Sequence, residues 1–162
     1  MLEKAYLSSS FGCFEITGSA MGITSVRRLE EEILPETTVA ACLQDGVQQL
    51  GEYFKGERTT FDLKLDWSGA PEFNKLVWAE LLKIPYGRTT YYAAIAEKLG
   101  DAKAMRAVGM ANRNNPIPII VPCHRVIAKN GELHGYYYGL EMKRKLLELE
   151  NPRSFAAQGS LF

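Results

Sequence analysis

Cys123 and His124 stand side by side in NPIPIIVPCHRVIAKNG (residues 115–131), an apolar run that also holds Pro116, Pro118 and Pro122. A thiol and an imidazole are working parts of an activated thiolate, and a carboxylate that orients the imidazole completes the set. A free thiol has a pKa of about 8.5, so only a few per cent is thiolate near neutrality; a base raises that fraction. The prolines exclude helix, because each fixes φ and removes a backbone donor. They also bias Asn115, Ile117 and Val121 toward extended backbone. The segment is expected to be a stiff, extended rail with the side chains of Cys123 and His124 on opposite faces, so that a proton passes between them through a bridging water. Two other readings stand beside this one. A buried cysteine can serve as a small hydrophobe. A cysteine hydrolase could use the same parts with a base from elsewhere, but His134, in the Asn130-Gly131 turn, has no evident acid partner.

The carboxylate is suggested by an oddity in the last helix, expected over about Leu140 to Glu150 and packed through Leu140, Met142, Leu146, Leu147 and Leu149. Anions are disfavoured at a helix C-terminus, yet Glu148 and Glu150 sit there, just before Asn151-Pro152. A carboxylate so placed is available to orient a histidine.

Upstream, the spacing predicts a helix from about Pro71 to Lys83, stopped near Pro85-Tyr86-Gly87. Tyr92, Ile95, Ala96 and Leu99 then form an apolar stripe at i, i+3, i+4, i+7 that ends at Gly100. A second helix is expected over about Lys103 to Asn112, packed through Ala104, Ala107, Val108 and Ala111. Two short helices joined by a tight turn form the pattern of a helix-turn-helix. Arg106, Met110 and Arg113 share its outward face, and the small residues Ala107, Gly109 and Ala111 allow close approach to a nucleic-acid backbone.

The N-terminal part reads differently. Residues 5–29 alternate like strands, with Gly12, Gly18 and Gly22 at the turns. Val39, Leu43, Val47, Leu50 and Phe54 recur at helical intervals, predicting a helix from Thr38 to about Tyr53. TTFDLKLDW (59–67) alternates cleanly and is expected to be a half-buried strand, followed by the linker SGAP at 68–71. These patterns divide the chain into an N-terminal α/β domain (1–68), a mostly helical domain (69–152) and a tail (153–162).

Charge follows the same division. Residues 1–74 carry 6 Lys and Arg against 12 Asp and Glu, whereas residues 75–162 carry 13 against 7. A basic half in a neutral chain suggests a polyanionic partner. No apolar run reaches the ~20 residues that span a bilayer, and MLEKAYLSSS lacks the pattern of a signal peptide. Three widely spaced cysteines, Cys13, Cys42 and Cys123, do not suggest a disulfide framework, so a reducing cytoplasm is the expected location. With two histidines and no C-x-x-C, a zinc site has little support.

IIVPCHRV (119–126) resembles the active-site signature of the O6-alkylguanine-DNA alkyltransferases. IPYGRTTYYAAIAEKLG (84–100), KAMRAVGMANRNNP (103–116) and GLEMKRKLLELE (139–150) match the same family in order and spacing, and residues 1–67 match in pattern. The resemblance implies a small antiparallel sheet plus helix, ribonuclease-H-like, followed by a winged helix-turn-helix domain. It implies stoichiometric, irreversible transfer of an alkyl group, mainly methyl, from O6-alkylguanine in double-stranded DNA to Cys123. O4-alkylthymine is a further candidate substrate. No cofactor or metal is expected, and the protein is expected to act as a monomer without a membrane.

Roles follow for the matched positions. Cys123 would be the nucleophile, His124 would act through a water, Glu150 would orient His124, and Tyr92 would protonate the leaving guanine. Arg106 would enter the duplex in place of the extruded base, on a DNA-binding surface with Ala104, Ala107, Met110 and Arg113. Asn115 would brace the active-site turn, and Val126 with Tyr136, Tyr137 and Tyr138 would line the base pocket. Tyr138 departs from the glycine that some members carry there. A non-enzymatic sensor of alkylated bases would lack the cysteine, and a transcription factor would not need the Cys-His pair. Finally, Gln158-Gly159-Ser160-Leu161-Phe162 resembles the pentapeptide by which bacterial repair proteins dock on the DNA sliding clamp.

Overall fold

Alternation in the first thirty residues produces three strands, β1 (Glu3–Ser9), β2 (Gly12–Ser19) and β3 (Gly22–Leu29), in one antiparallel sheet of order β1-β2-β3. The structure, a computed structural model, describes residues 1–33, 38–129 and 136–153. It divides into two units, Met1–Ser68 with Pro116–Ile120, and Gly69–Asn115 with the chain from Val121 onward.

In the first unit, Ala5 pairs with Ile16 and Ile16 with Val26, which sets one apolar row across the sheet. Helix α1 (Ala41–Phe54) covers that row with Leu43, Leu50, Tyr53 and Phe54, all buried. Phe54 stacks on Phe14 with ring centroids 5.0 Å apart. Helix and sheet approach closely at Gly46, where a Cβ would meet Ile23 Cδ1 at 2.9 Å. The helix starts at Ala41 rather than at Thr38.

Residues 61–65 keep the expected alternation of half-buried and exposed side chains, but 59–67 do not form a strand. Their one β-bridge joins Leu65 to Ile23. A side chain has taken the ladder's place: Gln49 donates to Asp62 O at 3.2 Å and accepts from Asp62 N at 2.9 Å. Backbone groups satisfied from a helix do not need a strand partner. The first unit also takes in Pro116–Ile120, where Val26 N donates to Pro116 O at 2.9 Å.

The second unit contains α2 (Glu72–Leu81), β4 (Thr90–Tyr91), α3 (Tyr92–Lys98), α4 (Met105–Arg113), β5 (Val126–Ile127) and α5 (Leu140–Glu150). The short strands β4 and β5 pair in parallel. The indole of Trp78 donates to Ala111 O at 2.8 Å, tying α2 to α4. A 3₁₀ turn (Ala102–Ala104) precedes α4, with the Asp101 side chain accepting from Lys103 N at 3.0 Å. That turn rotates the expected packing face. Val108, Ala111 and Asn112 are buried, whereas Ala107 is exposed and Ala104 half-buried.

The extended rail is also corrected. Residues Cys123–Arg125 form a 3₁₀ turn, and Ile119 has a φ of 76°. Positive φ is costly for a β-branched residue. Closely spaced prolines stiffen the backbone but do not extend it throughout, because Ile119 and Ile120 lie between them and are free to turn. In α5, Leu140 is exposed instead of packed, and the wholly buried Lys143 occupies the inner face. No helix among the described residues is long and apolar enough to cross a membrane.

Candidate active site

Every group described here belongs to the second unit. Cys123, at 4 % exposed, and His124, at 0 %, open the 3₁₀ turn that leads into β5. The turn's carbonyls are held by asparagines from the end of α4. Asn115 Nδ2 donates to Val121 O at 2.8 Å, and Asn112 Nδ2 donates to Cys123 O at 3.3 Å.

Glu150, in the last turn of α5, collects three donors. His124 Nε2 lies 2.6 Å from Oε2. Arg125 binds bidentately, with Nε 2.8 Å from Oε1 and Nη2 3.0 Å from Oε2. Gly87 N donates to Oε1 at 3.3 Å. Gly87 has φ 77°, and a Cβ there would meet Glu150 O at 3.2 Å, so this turn needs a glycine. Arg125 is further held by Ile84 O, which accepts from Nη1 at 2.6 Å. The anion at an unfavourable helix end is therefore offset by a buried guanidinium and a backbone N–H.

Protonation states follow from these contacts. Burial pushes the His124 imidazole below its ordinary pKa, outweighing the neighbouring Glu150. Burial opposes ionisation of Glu150 as well, but His124 and Arg125 together hold its carboxyl well below the usual range. The pair is thus a neutral imidazole donating Nε2–H to a carboxylate, which leaves the lone pair on Nδ1. That nitrogen is buried without a hydrogen-bond partner among the described residues. Burial pushes the Cys123 thiol up to about 11, against hydrogen bonding from Asn115 and the charge of Lys143. At rest the nucleophile is a protonated thiol.

Tyr92 opens α3 and is raised to about 12 by burial and by the proximity of Cys123. It keeps its proton and can donate it. Lys143 Nζ lies 6.0 Å from the centroid of the Tyr92 ring. Burial lowers Lys143 to about 8, with Cys123 pulling the other way.

Tyr92 also lines a cleft of about 780 Å³ with Tyr91, Arg106, Gly109, Met110 and Lys129. Arg106, Met110 and Arg113 are exposed on α4, with Arg113 at the cleft too. Val126 is buried on β5, paired with Thr90. Tyr136 is buried and Tyr137 exposed, and Tyr138 packs edge-on against both, with centroids 6.1 Å and 4.9 Å away. The structure brings Cys123, His124, Glu150, Tyr92 and Asn115 together, while Ala104, Ala107 and Tyr137 lie outside that cluster. His134 and Gln158–Phe162 fall outside the described residues.

Sequence reading missed Arg125, Lys143, Asn112 and Gly87. Lys143 was findable, because it stands seven residues before Glu150 and so shares its helix face. Arg125 directly follows the Cys-His pair, but nothing in its surroundings showed that it would be buried.

Comparison with known proteins gives one consistent result. The family description "6-O-methylguanine DNA methyltransferase, ribonuclease-like domain" matches residues 2–67, and "6-O-methylguanine DNA methyltransferase, DNA binding domain" matches residues 72–152. A Mycobacterium tuberculosis protein named methylated-DNA–protein-cysteine methyltransferase is 44% identical over 158 residues, covering 95% of each chain. One of the same name from Methanosarcina acetivorans is 54% identical over 107 residues, covering 66% of this chain and 68% of the other. The crystal structure of the M. tuberculosis O6-methylguanine methyltransferase superposes with a TM-score of 0.82 at 44% identity over 94% of each chain. The M. tuberculosis protein solved in complex with DNA gives 0.80 at 44% identity, over 91% of this chain and 93% of that one.

Proposed function

The chain belongs to the 6-O-methylguanine DNA methyltransferase family, and from that premise we propose that it repairs double-stranded DNA by moving an alkyl group, mainly methyl, from guanine O6 to Cys123. Transfer is irreversible and occurs once per molecule. O4-alkylthymine is a second candidate substrate. The observation that carries this reading is the buried His124–Glu150 contact of 2.6 Å beside a buried thiol.

The alkyl carbon is out of reach inside a base stack, so the nucleotide is extruded at a cost of a few kcal/mol. Arg106 fills the gap, while Ala104, Ala107, Met110 and Arg113 lie along the DNA. Val126 and the Tyr136–Tyr138 segment receive the base, and Asn115 braces the turn. His124 Nδ1 then takes the Cys123 proton through one bridging water, and Glu150 stabilises the imidazolium that forms. The S–C bond forms as the C–O6 bond breaks, and the electron pair leaves with guanine, which Tyr92 protonates. The product is a thioether that nothing in the site can reverse. No cofactor takes part in this scheme.

Intact-mass spectrometry after incubation with O6-methylguanine DNA tests the reading. One methyl per chain, mapped to Cys123 and absent from Cys123→Ala, is the expected result. Modification at Cys13 or Cys42, or several turnovers per chain, would overturn it.

The same reading places the protein in the cytoplasm as a monomer and gives the tail a partner. Leu161 and Phe162 would fill an apolar pocket on the sliding clamp, with Gln158 at its rim. Two such side chains contribute at most ~3–6 kcal/mol before ordering costs, so micromolar binding is expected. Calorimetry with purified clamp, comparing the full chain with one ending at Ala157, tests this; equal behaviour of the two would remove the tail's role.

A further inference from the structure

Arg125 is 6 % exposed, and its guanidinium is held on several sides. Nε and Nη2 grip the two oxygens of Glu150 at 2.8 Å and 3.0 Å, and Nη1 donates to Ile84 O at 2.6 Å. The centroid of the Tyr86 ring lies 5.8 Å from Cζ. A fork of this kind fixes the plane of a carboxylate, which a single ammonium does not do. That plane matters, because Oε2 also receives His124 Nε2–H at 2.6 Å. Arg125 follows His124 directly in the 3₁₀ turn, so base and cation meet one carboxylate from adjacent positions.

The charge matters as much as the plane. A carboxylate at hydrogen-bond distance favours the imidazolium, and an imidazolium has no lone pair on Nδ1 with which to take the Cys123 proton. Protonating the carboxyl instead is no better, because the acid then donates to Nε2 and the ring proton moves to Nδ1. Either way, one extra proton on the His124–Glu150 pair disables the base. Arg125 is a cation in direct contact with the pair and opposes that proton. We propose that Arg125 is a positioning residue of the transfer reaction, fixing the plane of Glu150 and keeping the His124–Glu150 pair free of an extra proton near neutrality. The proposal rests on the alkyl-transfer reading above. Lys143, on α5, acts on His124 in the same direction as Arg125 but less strongly. Cys123, Tyr86 and Tyr136 are pushed up by burial and so carry no charge near neutrality.

The test is the pH profile of single-turnover transfer from duplex O6-methylguanine, read together with nitrogen NMR of the imidazoles. The chain has two histidines, His124 and His134, and His134→Gln tells their signals apart. In the wild-type chain His124 should be neutral at neutral pH, with its proton on Nε2. Arg125→Gln removes both the charge and the fork. It should move the acid limb of the profile up by about 1–3 pH units, so that most of the rate lost near neutrality returns at higher pH. Arg125→Lys keeps the charge without the fork, and should lower the rate by about tenfold with the limb nearly in place. A loss by the same factor at every pH in the Gln variant would make Arg125 a prop for the fold and overturn the proposal. So would a Lys variant whose limb moves as far as that of the Gln variant. An imidazolium in the wild-type chain at neutral pH overturns it without any variant; Arg125→Met replaces the Gln variant if that one does not fold. Absence of transfer by the wild-type chain at every pH would overturn the alkyl-transfer reading, and this proposal with it.

Discussion

His124 donates Nε2–H to Glu150 Oε2 at 2.6 Å with both side chains buried, and the same carboxylate binds Arg125 bidentately. Glu150 therefore carries two tasks, orienting the imidazole and neutralising a buried guanidinium. Glu150→Gln should slow transfer and also destabilise the fold by about 3–5 kcal/mol, because it leaves Arg125 uncompensated. The folded pKa of Glu150 lies below its ordinary 4.5. Its stabilisation is thus complete above the unfolded pKa and is lost as pH falls toward the folded one. Denaturant titrations at neutral pH and near pH 3 should show a loss in the wild-type chain that the Gln variant lacks in part. Unchanged kinetics in the variant would remove Glu150 from the mechanism.

Lys143 has the opposite balance. Its folded pKa of about 8 lies below its ordinary 10.5, so the unfolded chain holds that proton more tightly. The cost is full below about 8 and fades as pH rises toward 10.5, so stability from this group increases across that window. Lys143→Met should stabilise the protein at neutral pH by about 1–3 kcal/mol. It should also slow transfer, because a cation facing Cys123 favours the thiolate. A variant that is both more stable and equally fast would make the ammonium irrelevant to the reaction.

Arg106 is exposed at the rim of the cleft that Tyr92 lines. Arg106→Ala should lower the rate on duplex DNA by roughly 10–100-fold and on a free alkylated base by less than about threefold. Equal losses on the two substrates would move its role into the pocket or the fold.

Tyr138 packs edge-on against Tyr136 and Tyr137, so a phenol stands directly before Gly139 and α5. Reaction with O6-benzylguanine should be slow and reaction with methyl adducts fast. Tyr138→Gly should speed the benzyl reaction by about tenfold. Rapid inactivation of the wild-type chain by O6-benzylguanine would show that the loop swings clear.

Local pattern in the sequence determined much of this protein. Alternation specified three strands, helical spacing specified α1 and α3, and the Cys123-His124 pair with Glu150 at a helix end offered the parts of an activated thiolate. These features depend on neighbours within a few positions, where periodicity and backbone chemistry act directly. Only tertiary structure decided the rest. Alternation at 59–67 could not reveal that Gln49 would satisfy Asp62 and leave no ladder. Pro116, Pro118 and Pro122 restricted the backbone, but they did not reveal the positive φ at Ile119 or the 3₁₀ turn at Cys123, whose carbonyl is held from α4 by Asn112. Arg125, Lys143 and Asn112 read as ordinary polar residues until they are seen buried, Arg125 on Glu150, Asn112 on the Cys123 carbonyl and Lys143 with its charge acting on Cys123. A side chain's charge state and hydrogen-bond partners are set by atoms distant in sequence, and so the electrostatics of Cys123 became legible only once the chain had folded.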